Sequence, residues 1–195
     1  MRLNQINRHR SPGQRGIATV EFALIFPLMM IMAFAIVDFG RLIQARIIVA
    51  NLAREGGSLG SRDIQTSPLG LITMLQDGAS PLDMANSGKI FVTRISAGTS
   101  MASPNPFIDS GYTASSGALS VSSTVGAGQT NLGLTSQLYN HLEFDDTPSK
   151  MTSDISNVTV VEVFYKYTPL TPLGKFVPGL FSDNGGEIIL SKAIF

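Results

Sequence analysis

The residues with the clearest chemical purpose in this sequence are Gly16 and Glu21, near the N-terminus. Glu21 stands in an apolar run, where a charged side chain costs roughly 2.5 to 3.5 kcal/mol at the centre of a membrane helix and less near its end. If the chain were cut after Gly16, Ile17 would carry a positive amine and Glu21 would be the fifth residue of the mature protein. A carboxylate there can neutralise the terminal amine of a neighbouring subunit and fix the axial register of two helices. The spacing therefore predicts a processed chain that assembles with others.

Glu21 also has a simpler interpretation, which stays open at this point. A carboxylate about one turn into an apolar helix can extend back to the lipid headgroups without any cleavage or partner. Pro27 is the second irregular residue of the run, because proline removes one intrahelical hydrogen bond. We predict a helix kink at Pro27.

Catalytic motifs are weak in this sequence. Residues 56–60 (GGSLG) fit the G-x-S-x-G pattern of a nucleophile elbow, with Ser58 at its centre. That elbow requires a strand before the serine and a helix after it, whereas a helical pattern precedes Ser58 here. The histidines that could act as a base are His9 and His141, and no alternating strand and helix pattern follows Ser58. We predict a chain without catalytic residues that is not an enzyme.

Metal and cofactor motifs are equally weak. Glu143, Asp145, Asp146 and Asp154 are close in sequence, but their spacing fits no calcium loop, so we expect a solvated acidic loop. The glycines of residues 126–128 lack the third glycine and the βαβ setting of a dinucleotide site. The absence of cysteine excludes disulfides and thiolate metal sites. We therefore expect no cofactor and no metal.

The charge balance argues against a nucleic-acid partner. The 14 Lys and Arg residues equal the 14 Asp and Glu residues, so the chain lacks the basic footprint that binding to nucleic acid requires. Charged residues make up only 14% of the sequence, which directs attention to a long apolar segment.

That segment is the first element that must position Glu21. Residues 1–16 carry four arginines and no acid, with a proline and glycines that disfavour a helix, so we predict a basic, extended leader. Residues 17–37 (IATVEFALIFPLMMIMAFAIV) would form a helix about 31 Å long, close to the thickness of the bilayer core. A secretory signal peptide would have a shorter apolar core and a small-x-small cleavage site. The positive-inside tendency places the N-terminus in the cytoplasm and everything after the span outside.

An amphipathic helix is predicted behind the span, over residues 39–55. Apolar residues recur at helical spacing on one side, and polar residues fall on the other. We expect this stripe to pack on a globular head, with packing against other subunits as the alternative, and we expect Gly56-Gly57 to end the helix. The stripe comprises Leu42, Ala45, Val49, Leu52 and Ala53.

The rest of the chain predicts a small antiparallel sheet. Residues 89–95, 157–168 and 187–195 are strand-like, and a short helix is predicted at 68–79. The composition of residues 96–137 predicts mostly loop there, with a weak strand at 118–125, and a turn is expected at 183–186. In the strand at 157–168 one face is apolar and the other contains charges, which predicts a half-exposed sheet. The first face carries Val161, Val163, Tyr165 and Tyr167, and the second carries Glu162, Phe164 and Lys166.

The segment around Glu21 resembles a known family. Residues 15–22 (RGIATVEF) resemble the processing site of type IV pilins and especially of tight-adherence (Tad, Flp-type) pseudopilins. EFAL at 21–24, Pro27, DFGR at 38–41 and NLAREG at 51–56 are similar to TadE-like proteins, and YKYTPLTPL at 165–173 is a second, weaker match to their C-terminal part. Phe22 stands where the major Flp pilins have tyrosine, which favours a minor pseudopilin.

The resemblance implies a fold, a processing step and partners. A prepilin peptidase would cut between Gly16 and Ile17, and Glu21 and Phe22 would act in assembly with other pilins and pseudopilins and with the Tad inner-membrane machinery. The expected fold is α+β and pilin-like: a leader (1–16), a transmembrane and amphipathic helix (17–56) and a periplasmic β-rich domain (57–195). The chain would be a single-pass inner-membrane protein in contact with lipid, which joins a cell-surface pilus and supports adhesion.

Two functions of other classes remain as alternatives. The first is a membrane-tethered binding or adhesion module whose anchor is never processed, so that residues 1–16 would be retained. The second is a tethered hydrolase that uses Ser58. Processing at Gly16 separates the first alternative from the pilin-like function, and the structure around Ser58 bears on the second.

Overall fold

The chain forms one long helix followed by a small four-stranded sheet. The computed structural model describes residues 12–62, 67–145, 155–172 and 186–195. The predicted α+β architecture, with a long N-terminal apolar helix ahead of an antiparallel sheet, is confirmed. In chain order the elements are α1 (Pro12–Ser61), α2 (Pro68–Asp77), α3 (Met84–Ser87), β1 (Gly88–Ser96), β2 (Phe107–Ser116), a 3-10 turn (Thr130–Gly133), α4 (Ser136–Leu142), β3 (Asn157–Tyr167) and β4 (Glu187–Ile194).

Helix α1 is longer at both ends than the sequence predicts. The leader was expected to be extended through Gly16, but α1 already begins at Pro12, a residue type that the first turn of a helix accepts. The expected break at Gly56-Gly57 is also wrong, because α1 continues to Ser61. Both glycines are buried against the head. A Cβ atom on Gly56 would lie 2.7 Å from Leu75 Cδ1, so these glycines permit close packing of α1 instead of ending it.

The sheet has the strand order β2-β1-β3-β4, and all three pairings are antiparallel. Strands β1, β3 and β4 and helix α2 confirm the predictions at those positions. Strand β2 lies in a segment predicted as loop, because its sequence (FIDSGYTASS) is polar and its side chains are largely exposed. The weak strand predicted at 118–125 does not form. The turn expected at 183–186 lies outside the described residues except for its last position.

The predicted stripe on α1 is buried against the head. All five of its residues are at most 6% exposed and share one core with α2 and with Val161, Val163 and Tyr167 of β3. Burying a leucine or a valine stabilises a fold by roughly 1.5 to 3 kcal/mol, and burying an alanine stabilises it by less. The stripe therefore packs on the globular head, as expected.

The opposite face of the sheet is covered along the first half of β3, whereas Ile188 and Leu190 on the same face of β4 are 51% and 44% exposed, so the prediction of a half-exposed sheet is wrong only in part. A second core of buried residues lies there, formed with the segment 117–134 and α4. Glu162, expected at the surface, is only 1% exposed. The apolar residues that cover this face are irregularly spaced in the sequence, so hydrophobic periodicity did not predict this layer. Its buried members are Ile95, Ala97, Val125, Leu134, Leu142, Val158 and Val160.

Strand β3 runs antiparallel to α1. At its start, Thr159 Cγ2 lies 2.9 Å from the position a Cβ atom of Gly60 would take. At its end, the hydroxyl of Tyr167 donates to the carbonyl oxygen of Asp38 at 2.9 Å. The head therefore lies along the outer half of α1, and the end of β3 points toward the apolar half.

Candidate functional site

The first half of α1 projects away from the head and is apolar. Within the described residues, one helix, Gly16–Ser61, is long and apolar enough to cross a membrane, and none of its most apolar stretch is buried inside the protein. Exposed side chains there include Phe22, Leu24 and Ile36, each more than 60% accessible. Apolar surface of this extent on a protein needs a cover, such as lipid or other protein. The candidate site is therefore this exposed helix together with the contacts that fix it to the head.

The residues predicted to be processed lie on the exposed part of α1. Gly16 is helical, and nothing lies within 4 Å of the position that a Cβ atom would occupy on it. Ile17, which follows, is 63% exposed. Among the described residues, therefore, none packs against the helix at Gly16.

The residues predicted to act in assembly lie on the same exposed helix. Glu21 is exposed, and the ring of Phe22 lies 5.6 Å from the ring of Phe26, with an interplanar angle of 38°. Pro27 lies inside α1, which continues through it to the head. The structure brings Glu21, Phe22 and Pro27 onto one rod, and none of them contacts the folded head among the described residues.

Asp38, the first residue after the apolar run, fixes the head to the helix. It is fully buried. One of its carboxylate oxygens accepts hydrogen bonds from the backbone nitrogens of Leu170 at 3.0 Å and Thr171 at 3.1 Å. The other accepts from the Thr171 hydroxyl, and the Asp38 carbonyl accepts from Tyr167. A buried carboxylate is stable when several donors satisfy it.

Two tyrosines lie on the face of β3 that packs toward α1, and one of them, Tyr167, takes part in this contact. Burial raises the pKa of Tyr167, and the negative charge of Asp38 raises it further, while Arg41 opposes the shift. Burial also raises the pKa of Tyr165, with a smaller contribution from Asp83. Both hydroxyls therefore favour their neutral form, in which Tyr167 can donate to Asp38. Both tyrosines lie on the face of β3 that was predicted to be apolar, and Tyr167 also makes the hydrogen bond to Asp38.

Sequence reasoning missed the role of Asp38, although signals for it were present. An acid placed directly after an apolar run, and a tyrosine hydroxyl on the buried face of a strand, both require partners. Their sequence positions do not show that each satisfies the other. We call the contacts of Asp38 with Tyr167, Leu170 and Thr171 the Asp38 clamp.

Glu162 is a second buried carboxylate that the sequence did not identify. It accepts hydrogen bonds from the hydroxyls of Ser123 and Thr124 and from the backbone nitrogen of Thr124, the last at 3.1 Å. Lys192, its neighbour on β4, donates to the carbonyl of Gly133 at 2.8 Å. These bonds hold the segment 117–134 on the sheet, which is a structural role.

The catalytic alternative finds no support in the local geometry. Residues 56–60, which carry the G-x-S-x-G pattern, lie inside α1, so Ser58 is in a helix and not on a turn after a strand. Within the described ranges, no three acidic or histidine residues are placed to hold a metal ion. Asp146 and Asp154 of the expected acidic loop lie outside those ranges.

A cavity of about 190 Å³ lies between the end of α1, α2 and the sheet. Its polar lining includes Arg94, which donates to the Gly60 carbonyl at 3.3 Å and stacks on the ring of Tyr112 at 3.9 Å. These contacts place a cation at the C-terminus of a helix, where the helix dipole favours positive charge. The remaining lining is mostly apolar and holds the end of α1 on the sheet.

Comparison with known proteins identifies the segment that carries the site. Residues 16–58 match the family model described as TadE-like protein. The match begins at Gly16, covers the exposed half of α1 and ends in the part that packs on the head. It confirms the resemblance stated from the sequence. No curated protein and no solved structure matches the chain.

Proposed function

We propose that this chain, whose residues 16–58 match the TadE-like family, is a minor pilin-like subunit of a Tad-type pilus that acts by assembly and not by catalysis. The family match is the observation that carries the proposal. It covers the helix that projects from the head and therefore the surface through which subunits would meet. The predicted absence of enzymatic activity agrees with a structural family of pilus components.

The first step of the proposed function is removal of the leader. A prepilin peptidase cuts between Gly16 and Ile17 and leaves a mature chain that begins with a positive amine. Two features support this step: the helix around Gly16 is sterically open, and the arginines of residues 1–16 favour a cytoplasmic leader. The helix then remains in the inner membrane, with the head on the periplasmic side.

Glu21 acts in the second step, when the subunit joins other pilins. Its carboxylate pairs with the terminal amine of a neighbouring subunit inside an apolar bundle, where an unpaired charge would be unfavourable. Phe22 and Pro27 shape the same stretch of helix. The partners of this step are other pilins and pseudopilins and the Tad inner-membrane machinery.

The Asp38 clamp links the position of the helix in an assembly to the position of the head. Because the buried stripe packs α1 on the head and Asp38 also joins the helix to the segment after β3, the position of the helix in a bundle sets the position of the head. In the part of the chain that the structure describes, the head covers one side of α1, and Ile43 and Ile47 on another side are more than half exposed. Neighbouring subunits can therefore approach the helix beyond the membrane. In this arrangement the heads stand on the outside of a pilus that supports surface attachment.

The assembly role is tested with Glu21→Ala in cells that lack the native chain. We expect the variant in the membrane fraction at wild-type amounts and a loss of surface pili, since only the paired charge is removed. Glu55→Ala is the matched control, because Glu55 is an exposed glutamate on the same helix beyond the membrane. Wild-type piliation with Glu21→Ala would contradict the proposed role.

A further inference from the structure

The direction of β3 determines which part of the head lies nearest the membrane. Its residues pass α1 in reverse order, from Thr159 beside Gly60, through Val161 at the level of Gly56, to Tyr167 at Asp38. Helix α1 leads away from the apolar run, so β3 leads back toward it. Residues 168–172, which follow Tyr167, therefore lie at the tip of the head that faces the apolar run.

The Asp38 clamp sets the height of this tip. Asp38 directly follows residues 17–37, whose helical length of about 31 Å matches the apolar core of a bilayer. Its carboxylate lies 3.0 Å from the backbone nitrogen of Leu170. An aspartate side chain is short, so the backbone of Leu170 lies at the level where the membrane-spanning run ends.

The tip presents an apolar side chain at this level. Leu170 is 65% exposed, although the clamp fixes its backbone, and residues 168–172 (TPLTP) carry no charge. Phe39 of α1, next to Asp38, is 41% exposed. A single exposed leucine on a soluble surface has no special meaning. Here the leucine is held at the depth of the headgroups, where apolar and aromatic side chains are favoured.

A cationic side chain lies close to the same level. Arg41 is exposed on α1, about one turn beyond Asp38, and near enough to the two tyrosines for its charge to lower their pKa. A long cationic side chain at the end of a span can reach the phosphates of the lipids. Apolar contact below and positive charge above is the arrangement expected of a surface that rests on a bilayer.

We propose that residues 168–172 bind the outer surface of the lipid bilayer, with Leu170 inserted among the headgroups, for as long as the subunit is in the membrane. The inference rests on the proposed membrane anchoring of α1 and adds a second lipid contact, made by the head. Before assembly the head would thus rest on the membrane surface, and this contact has to break when the subunit leaves the membrane.

The chain contains no tryptophan, so a single introduced tryptophan reports its own surroundings. Leu170→Trp tests the tip. Met101→Trp is the matched control, because Met101 is 63% exposed and follows β1 at the opposite end of the sheet. Phe26→Trp, in the middle of the apolar run, reports whether α1 is inserted. Each full-length variant is reconstituted into vesicles of phosphatidylethanolamine and phosphatidylglycerol, with plain or brominated acyl chains.

We expect brominated lipid to quench the tryptophan fluorescence of Phe26→Trp and Leu170→Trp but not that of Met101→Trp. We also expect the emission of Leu170→Trp to be blue-shifted relative to that of Met101→Trp. If Phe26→Trp is quenched and Leu170→Trp behaves like Met101→Trp, the inference is overturned and the anchoring stands. If Phe26→Trp is also unquenched, the anchoring itself fails. A blue shift without bromine quenching that grows with the protein-to-lipid ratio would show contact with a second copy, which also overturns the lipid contact.

A second variant guards against misfolding caused by tryptophan. The chain has no cysteine, so Leu170→Cys accepts one polarity-sensitive thiol probe at the same position. A blue shift of that probe in vesicles supports insertion, and a water-like emission matching that of Met101→Cys contradicts it.

Discussion

Asp38 and Thr171 are 133 positions apart in the chain, yet a carboxylate oxygen of Asp38 lies 3.1 Å from the backbone nitrogen of Thr171. The first residue after the apolar run of α1 is thereby bonded to the segment that follows β3, a central strand of the sheet. This bond adds to the buried stripe of α1 in fixing the helix to the head, and it does so at the end of the apolar run.

The clamp predicts a large difference between two aspartates. Asp38→Ala leaves the backbone nitrogens of Leu170 and Thr171 without their acceptor, so we expect a loss of about 1 to 3 kcal/mol in the free energy of unfolding of the head. Asp77→Ala, at an exposed aspartate of α2, should change it by less than about 0.5 kcal/mol. Urea unfolding of the full chain in detergent measures both. Equal effects of the two substitutions would show that the clamp does not stabilise the head.

Tyr167 predicts a dependence on alkaline pH. Burial and the charge of Asp38 raise its pKa above the ordinary value in the folded chain, whereas in the unfolded chain the hydroxyl ionises near its usual pKa of about 10. The stability from this shift is present below that pH and is lost as pH rises through the folded-state pKa. Tyr167→Phe should therefore flatten the fall in stability above about pH 10 and, at neutral pH, cost about 0.5 to 1.5 kcal/mol through the lost hydrogen bond. Unfolding curves between pH 7 and 11 that fall equally steeply in both proteins would contradict this account.

Glu162 predicts that one loop is held by one side chain. In Glu162→Ala the hydroxyls of Ser123 and Thr124 lose their acceptor, so the segment 117–134 should detach more readily from the sheet. We expect faster amide hydrogen exchange in that segment. Glu187→Ala is the control, because Glu187 forms an exposed ion pair with Arg46, and such pairs contribute about 0 to 1 kcal/mol. Unchanged exchange in Glu162→Ala would mean that the apolar contacts alone hold the segment.

We predict that α1 tolerates a larger side chain at Gly40 but not at Gly56. Gly56→Val places a side chain against Leu75 and Val161, and overpacking of this kind costs about 1 to 3 kcal/mol. Among the described residues outside its own helix turn, nothing lies within 4 Å of a Cβ position on Gly40, so Gly40→Val should be nearly neutral. Thermal unfolding of the two variants decides the matter. Equal effects of the two substitutions would contradict a packing role for Gly56.

Local patterns predicted those parts of the fold in which periodicity and burial coincide. Helical spacing identified the stripe from Leu42 to Ala53, and the alternation in β3 identified the face that carries Val161 and Val163. Strand β2 was missed because its polar residues form a strand only by pairing with β1, across an irregularity between Val92 and Arg94. That pairing is a property of the folded sheet and has no period of its own in the sequence.

The candidate site divides in the same way. Gly16 and Glu21 are five residues apart, so their relationship is visible in the sequence. The clamp and the bonds of Glu162 join residues 38 or more positions apart, and no spacing rule connects such partners. Burial of a lone carboxylate signals that donors must exist, but only the tertiary structure shows which ones.

The central claim is that the chain is a processed pilin-like subunit, and the N-terminus of the mature protein tests it most directly. We predict that protein purified from cells with an active prepilin peptidase begins at Ile17. Gly16→Leu should block this processing, whereas Gly40→Leu, at another sterically open glycine of α1, should not. A chain that retains residues 1–16 in those cells, or one cut elsewhere by a signal peptidase, would contradict the claim.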